Sequence, residues 1–222
     1  MKMTLSPKRL VAYVARQLST TFPDRDVVPD ELERFSNHAL ERLEYCFRNV
    51  RKKYFFDGVE ATFDHLNTDQ YAMYLYFLGN SIHRMQGEPS LGVKLFALNK
   101  ALHALDVFYQ VELPDIFAWQ HPVGTVLGRA RYADYAFFYQ RCTVGGNPSH
   151  DYPVFEQGVV LYGDSAVIGR SLVRRNSWVS VGTKILDQDT EGDVAVFGRS
   201  PDLVAKRTKR NVVETFFGTT AQ

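Results

Sequence analysis

The spacing of hydrophobic positions changes about halfway along the chain. From Ser6 to about Leu105 the apolar residues recur every three or four positions, which is the spacing of amphipathic helices. From about Asp106 onward the chain is rich in β-branched and aromatic residues, glycines and turns, and the helical period is lost. The sequence therefore predicts a helical first half and a β-rich second half.

Four polar breaks in the first half carry residues typical of helix starts. They are Ser6-Pro7, Pro29-Asp30, Asn67-Thr68-Asp69 and Glu88-Pro89-Ser90, each before an amphipathic run. We expect four or five helices joined by short polar segments. Asp69 is interpreted as a helix N-cap, with an acidic contact to a substrate as the alternative. His83 and His103, which have no partners at metal-ligand spacing, are interpreted as structural.

A six-residue period runs through the second half. Large apolar residues stand at every sixth position, and small or β-branched residues stand four positions after each of the first five. The first set is Phe155, Leu161, Val167, Val173, Val179 and Ile185, and the second is Val159, Ser165, Ser171, Ser177 and Thr183. Each face of a parallel β-helix is about six residues long and has one inward-facing position, so this period predicts a β-helix solenoid. Upstream, Val107, Leu113 and Trp119 fit the same register, which then slips by about one residue before Phe138 and Val144.

Composition narrows the classes of function. Among 222 residues there are 26 Lys and Arg and 25 Asp and Glu, so the overall charge indicates neither nucleic acid nor an anionic membrane as a partner. The start lacks the apolar core of a signal peptide, and no apolar run approaches the roughly 20 residues that span a bilayer. Cys46 and Cys142 are too few and too far apart for a zinc site, so no metal is expected. We expect a soluble, cytoplasmic protein.

Several stretches of the second half resemble the hexapeptide-repeat acyltransferases, and most closely serine acetyltransferase. WQHPVGTVLG (119–128) resembles the family's LDHATGIVVG, and RCTVGG (141–146) resembles SVTLGG. Further matches are LYGDSAVIG (161–169) with IGAGAKILG, VSVGTKI (179–185) with IGAGSVV, and VFGRSPDLVAK (196–206) with AAGVPARIVGK. With the two periods, the resemblance implies an α+β fold with three parts. These are an α-helical domain (1–105), a left-handed parallel β-helix acyltransferase domain (106–204) and a basic C-terminal tail (205–222).

The resemblance also implies a catalytic pair. The family's catalytic histidine falls on His121, and its aspartate, fifteen residues earlier in VDIHP, falls on Asp106. A neutral imidazole can take the proton of an attacking hydroxyl, and a carboxylate on its other nitrogen orients it. Coils stack about 4.8 Å apart, so residues fifteen apart can be neighbours in space. Without the family match, His121 is a surface-turn histidine and Asp106 a helix-end cap.

The donor implied by the resemblance is acetyl-coenzyme A, in a groove between neighbouring β-helices of a homotrimer. The positions expected to contact it are Gly146, Gly163, Val181, Gly182 and Lys206, which lie within the matched stretches, and Arg207, which is next to Lys206. Small residues let the pantetheine arm approach the backbone, and the two basic residues can meet phosphates. The alternative for AKRTKR (205–210) is a solvated basic tail. The helical half is expected to pair two trimers.

The positions that bind serine in the family differ here. Gln120 stands where the family has an aspartate, and HDYP (150–153) aligns with DRHP. Asp151 thus replaces the arginine that meets the serine carboxylate, Tyr152 replaces a second histidine, and His150 is out of register. An α-amino acid needs both a cation and an anion from its site, whereas neutral and acidic groups suit a polyol.

We therefore expect an O-acetyltransferase that acts on a small hydroxyl acceptor, such as a sugar or an amino acid. A serine acetyltransferase and a non-catalytic β-helix scaffold are the alternatives. The chain ends in FFGTTAQ rather than the isoleucine-ending tail with which many serine acetyltransferases dock a partner sulfhydrylase. No such complex is expected.

Overall fold

The computed structural model describes residues 1–218, and its first half is helical, as the spacing predicts. Its helices are α1 (Pro7–Thr21), α2 (Asp30–Arg48), α3 (Thr68–Arg84) and α4 (Pro89–His103). Strands β1 (Lys2–Met3) and β2 (Thr62–Phe63) pair in parallel beside them. None of the helices in this part of the chain is both long and apolar enough to cross a membrane.

The second half winds into a parallel β-helix with three faces. The first face contains β3 (Phe117–Trp119), β6 (Ala136–Phe138), β9 (Val159–Leu161), β12 (Ser177–Val179) and β14 (Val194–Phe197). The second contains β4 (Val126–Leu127), β7 (Thr143–Gly145), β10 (Ala166–Ile168) and β13 (Lys184–Leu186), and the third contains β5 (Arg131–Tyr132), β8 (Val154–Phe155) and β11 (Leu172–Val173). Within each face, every pair of neighbouring strands among these is parallel and comes from successive coils.

Columns of buried side chains fill the interior of the β-helix. On the first face the column is Trp119, Phe138, Leu161, Val179 and Val196, and on the second it is Leu127, Val144, Val167 and Ile185. All of them are buried, as are the remaining members of the predicted six-residue set. The solenoid predicted from the period is confirmed.

The small residues of the second set, four positions after each apolar position, are buried at or just before the start of a strand. Ser171 Oγ donates to the Ile168 carbonyl at 2.9 Å, and Ser177 Oγ donates to the Arg174 carbonyl at 2.6 Å. Thr183 Oγ1 likewise donates to the Val196 carbonyl at 3.1 Å. Small hydroxyl residues suit these positions because they fit the corner and because each buried hydroxyl finds a backbone carbonyl to which it can donate.

Two coils before Leu161 depart from eighteen residues and account for the slip in the repeat. Phe138 pairs with Trp119, nineteen positions earlier, and this extra residue shifts the register before Phe138. Leu161 pairs with Phe138, twenty-three positions earlier, whereas Val179 pairs with Leu161, eighteen positions earlier. The extra residues form a loop between β7 and β8, which we call the 146–153 loop. Asn147 holds this loop together, because its Oδ1 accepts from the backbone N–H groups of Ser149 and Asp151 at 3.0 Å each.

The segment after residue 203, which includes most of the predicted basic tail, is folded. Strand β15 (Val204–Arg207) runs antiparallel to β14, and helix α5 (Val212–Phe216) follows it. Phe217 is fully buried and forms a bridge with Val50, at the end of α2. The C-terminal segment therefore packs on both the β-helix and the helical half, while residues 219–222 of the predicted tail lie outside the described residues.

Candidate active site

His121 lies in the turn between the first and second faces, at the helical end of the solenoid. Its side chain is exposed, and its backbone has φ +51°, in the left-handed region that few residues other than glycine adopt. The His121 N–H donates to both carboxylate oxygens of Asp69, at 3.2 Å each. This pair of contacts holds the strained turn in place.

Asp69 is the second residue of α3, and sequence reasoning gave it the wrong role. The helix is capped by Asn67, whose side chain accepts from the N–H groups of Asp69 and Gln70. The Asp69 carboxylate is instead turned toward His121. The backbone carbonyl of Asp69 accepts a hydrogen bond from Trp119 Nε1 at 2.9 Å. Asp69 is only 8% exposed, and this burial raises the pKa of its carboxyl. The hydrogen bond from the His121 N–H lowers the pKa, but the effect of burial is larger.

Asp106 begins the second face beside the coil that contains His121. Its N–H donates to the Thr125 carbonyl at 2.9 Å, and it forms a parallel bridge with Val126. Its carboxylate, however, forms an ion pair with Lys100 at 2.5 Å. Among residues 1–218 no carboxylate is bonded to the His121 ring, so the orientation of His121 by Asp106 stays a prediction.

Of the residues predicted to bind the acceptor, only Gln120 lies next to His121 in this chain, with Gln120 Nε2 3.5 Å from His121 Nε2. The other three lie on the 146–153 loop, at a different corner of the solenoid. His150 is exposed, and the Asp151 carboxylate accepts from Asn147 Nδ2 at 3.1 Å. The Arg129 guanidinium lies 5.2 Å from the centre of the Tyr152 ring. Arg129 is a cation that sequence reasoning missed, because this contact depends on which coils are adjacent.

One corner of the solenoid connects His121 to the predicted cofactor positions. His121, Gln140, Gly163 and Val181 each stand two residues after a member of the first-face column. A Cβ at Gly163 would lie 2.8 Å from Gln140 Nε2, so only glycine fits there without displacing that side chain. The Gly182 N–H donates to the Gly163 carbonyl at 3.0 Å. With a coil spacing of about 4.8 Å, Val181 lies about 14 Å along this corner from His121.

A cavity of about 620 Å³ lies at the far end of this corner. It brings together three of the predicted cofactor positions, Val181, Lys206 and Arg207. Its aromatic wall, which sequence reasoning missed, consists of Tyr162, Trp178 and Phe197, and Arg210 adds a further cation. Some of these aromatic side chains face outward from the β-helix. The six-residue period predicts only the inward-facing positions, so it did not indicate this wall.

The remaining predicted cofactor glycines differ in position. Gly182, with φ +74° and open space beyond its Cα, lies on the corner that leads to the cavity. Gly146 lies on the 146–153 loop instead, where a Cβ would come within 2.8 Å of the Tyr152 ring. The small size of Gly146 is therefore explained by packing against Tyr152.

A second cavity, of about 320 Å³, lies directly beside His121. Its walls are the head of α3, the last turn of α4 and the turn after β3. The lining residues are Thr68, Asp69, Ala101, Leu102, His103, Ala104, His121, Pro122 and Val123. His103, interpreted from the sequence as structural, thus lines the same cavity as His121. The helical periodicity did not predict that His103 and His121 lie close together, because it does not show where the end of α4 contacts the solenoid.

Comparison with known proteins was made at the level of sequence and of structure. No protein-family model matches the sequence, and a search of the curated proteins found no match. Solved structures do match. Serine acetyltransferase from Brucella abortus strain S19 has a TM-score of 0.67 and 18% identity, over 89% of this chain and 82% of that one. Serine acetyltransferase from Neisseria gonorrhoeae has a TM-score of 0.72 and 15% identity, over 93% and 82%.

A further match is serine acetyltransferase from Brucella abortus strain S19 in complex with coenzyme A, with a TM-score of 0.71 and 18% identity, over 92% of this chain and 84% of that one. At such low identity the agreement concerns the fold. The likeness extends over both halves of the chain, including the helical half. The chain therefore has the fold of the serine acetyltransferases, a helical domain followed by a left-handed β-helix of hexapeptide repeats.

Proposed function

We propose that the protein is an acetyl-coenzyme A-dependent O-acetyltransferase that acylates a hydroxyl of a small acceptor. The observation that supports this most is the corner of the solenoid, which has His121 at one end and the aromatic, basic cavity at the other. Adenine can stack on the aromatic wall while Lys206, Arg207 and Arg210 meet the phosphates. The pantetheine arm then runs along the corner past Gly163, and places the thioester beside His121.

In the proposed reaction His121 is the general base. The acceptor oxygen attacks the thioester carbonyl while its proton passes to the imidazole of His121. The tetrahedral intermediate then collapses with loss of the coenzyme A sulfur, which takes the proton back from the imidazolium. The products are an acetyl ester and the free thiol. We assign to Asp106 the stabilisation of the imidazolium, which requires its carboxylate to turn from Lys100 to His121.

We propose a homotrimer as the active assembly. The 146–153 loop lies at a different corner from His121, so His150, Asp151 and Tyr152 can contribute to acceptor binding only across a subunit interface. Apolar side chains are exposed at and next to the corner of His121, with Val123 58% exposed and Val181 69% exposed. Contact with a second subunit would bury them.

The test of donor binding is a thermal shift. Any ligand of the native state stabilises it, by about 2.7 kcal/mol at a hundred times its Kd. Acetyl-coenzyme A is expected to raise the Tm by several degrees and to release free thiol when an acceptor is added. If the Tm is unchanged at millimolar acetyl-coenzyme A, the scaffold alternative is favoured instead.

Lys206→Ala is expected to raise the Kd for coenzyme A about fivefold, since one cation near the phosphates is lost from an exposed site. The effect should shrink as salt is added. Lys209→Ala is the matched control, because Lys209 belongs to the same segment but does not line the cavity. Equal Kd values for the two variants, measured by calorimetric titration, would show that the phosphates bind elsewhere.

A serine acetyltransferase is the second candidate, and Arg129 favours it. Its guanidinium stacks on Tyr152, in the loop where the family arginine is replaced by Asp151. Arg129 can thus provide the positive charge that an amino-acid carboxylate requires. If serine is the acceptor, Arg129→Ala should raise the KM for L-serine and leave the KM for acetyl-coenzyme A unchanged.

A further inference from the structure

The cavity beside His121 contains a second histidine whose tautomer is defined by its neighbours. His103 Nδ1 lies 2.7 Å from Asn99 Oδ1. The amide nitrogen of Asn99 donates to the Ala72 carbonyl at 3.0 Å, which fixes the amide oxygen toward the histidine. Nδ1 must therefore carry the proton, and Nε2 is left as a hydrogen-bond acceptor.

Burial keeps this imidazole uncharged. His103 is half-buried at the end of α4, with its ring edge against the ring of Tyr71 at 5.9 Å. Burial lowers the pKa of His103, so the neutral form predominates at pH 7. The acceptor lone pair on Nε2 is therefore present under physiological conditions.

The other polar side chains of the cavity are also able to accept hydrogen bonds. The Asp69 carboxylate has lone pairs beyond those used by the His121 N–H, and the Thr68 hydroxyl both donates and accepts. Neither lysine nor arginine is among the described residues that line the cavity. Within one subunit, a ligand that carries a carboxylate would therefore meet the charge of Asp69 without a compensating cation.

We propose that this cavity is the acceptor site and that His103 is a specificity-determining residue for a polyol acceptor, such as a monosaccharide or a cyclitol. Two hydroxyls of the acceptor donate to His103 Nε2 and to Asp69, while the hydroxyl that is acetylated faces His121. The volume of about 320 Å³ holds roughly ten water molecules, which is ample room for a monosaccharide. This inference rests on the proposed acetyltransferase function.

The kinetic test compares three variants of the full-length protein by thiol release. The acceptors are a panel of monosaccharides and cyclitols, together with L-serine. His103→Phe is expected to raise the KM for the best polyol about tenfold and to leave the KM for acetyl-coenzyme A unchanged. His103→Gln, which keeps an acceptor oxygen, should restore part of the loss. His83→Phe is the control, because His83 is exposed on α3 and does not line the cavity.

A spectroscopic measurement checks the tautomer independently of turnover. In ¹⁵N-detected histidine spectra at pH 7, His103 should show a protonated Nδ1 and a bare Nε2, and the Nε2 signal should shift when a polyol acceptor is added. A protonated Nε2, or equal polyol KM values in His103→Phe and the wild type, would overturn the assignment of His103.

The two levels of the proposal fail in distinguishable ways. If acetyl-coenzyme A raises the Tm but L-serine has a higher kcat/KM than every polyol, the polyol inference is overturned and the acetyltransferase function stands. Turnover of no polyol, with acetyl-coenzyme A bound, overturns it equally. If acetyl-coenzyme A neither raises the Tm nor yields thiol with any acceptor, both proposals fall.

Discussion

His121→Ala lowers kcat by about a hundredfold or more and leaves the Kd for coenzyme A unchanged, if His121 is the general base. The reason is that the acceptor hydroxyl then has no group to take its proton during attack on the thioester. The contacts that hold the turn are made by the His121 backbone N–H with Asp69, so they persist when the side chain is removed. The measurement is thiol release at saturating acceptor, with coenzyme A binding followed by titration.

A second variant separates chemistry from conformation. His121 has φ +51°, and asparagine tolerates this left-handed region better than alanine does. His121→Asn should therefore keep the turn and be as inactive as His121→Ala, whereas His83→Ala should keep full activity. A rate near that of the wild type in His121→Asn would exclude His121 as the base and leave the reaction without its assigned proton acceptor.

Phe217→Ala is expected to lower the free energy of unfolding by about 3–5 kcal/mol, because a fully buried ring leaves a cavity that its surroundings only partly fill. The ring packs 5.4 Å from that of Tyr135 and 6.2 Å from that of Phe137. Its backbone bridge to Val50 also joins the C-terminal segment to the helical half. Urea unfolding, followed by tryptophan fluorescence and circular dichroism, gives the change.

The control for Phe217→Ala is Val204→Ala, in the same C-terminal segment. Val204 is 52% exposed, and its truncation should alter the free energy of unfolding by less than about 0.5 kcal/mol. A loss of comparable size in both variants would indicate general weakening of the segment. A Phe217→Ala protein as stable as the wild type would contradict the docking of this segment on the rest of the molecule.

The architecture could be predicted from the sequence because its periods are set by local geometry. A solenoid coil repeats the same inward positions, so Leu161 and Val179 reveal their face without knowledge of any distant partner. Helix starts are equally local, and the side-chain cap at Asn67 and the first-turn prolines Pro7 and Pro89 lie where the sequence indicated. The packing of the C-terminal segment was not predicted, because its charged residues indicate an exposed tail. The two phenylalanines that follow them, Phe216 and Phe217, are nevertheless buried.

The candidate site could be predicted only in part. His121 and Lys206 were identified through motif matches, and Arg207 through its place beside Lys206. The two basic residues line one cavity, and the roles of all three residues stay predictions. The contacts of Asp69 and His103 were missed because they join residues eighteen or more positions apart, through helix ends that meet the first coil. The pairing of Asp106 with Lys100 was missed for a different reason. An ion pair between the exposed Lys100 and the half-buried Asp106 leaves no trace in hydrophobic spacing.

The two ends of the solenoid are closed by different means. At one end the helical half covers the first coil, where Trp119 and Phe117 are bonded to α3 and α2. At the other, β15 lies along β14 in the reverse direction, so the first face does not offer a parallel edge on which a further coil could continue. A second copy of the molecule therefore cannot continue the solenoid by stacking a parallel coil on β14, which leaves the flanks as the favoured surfaces for contact between subunits.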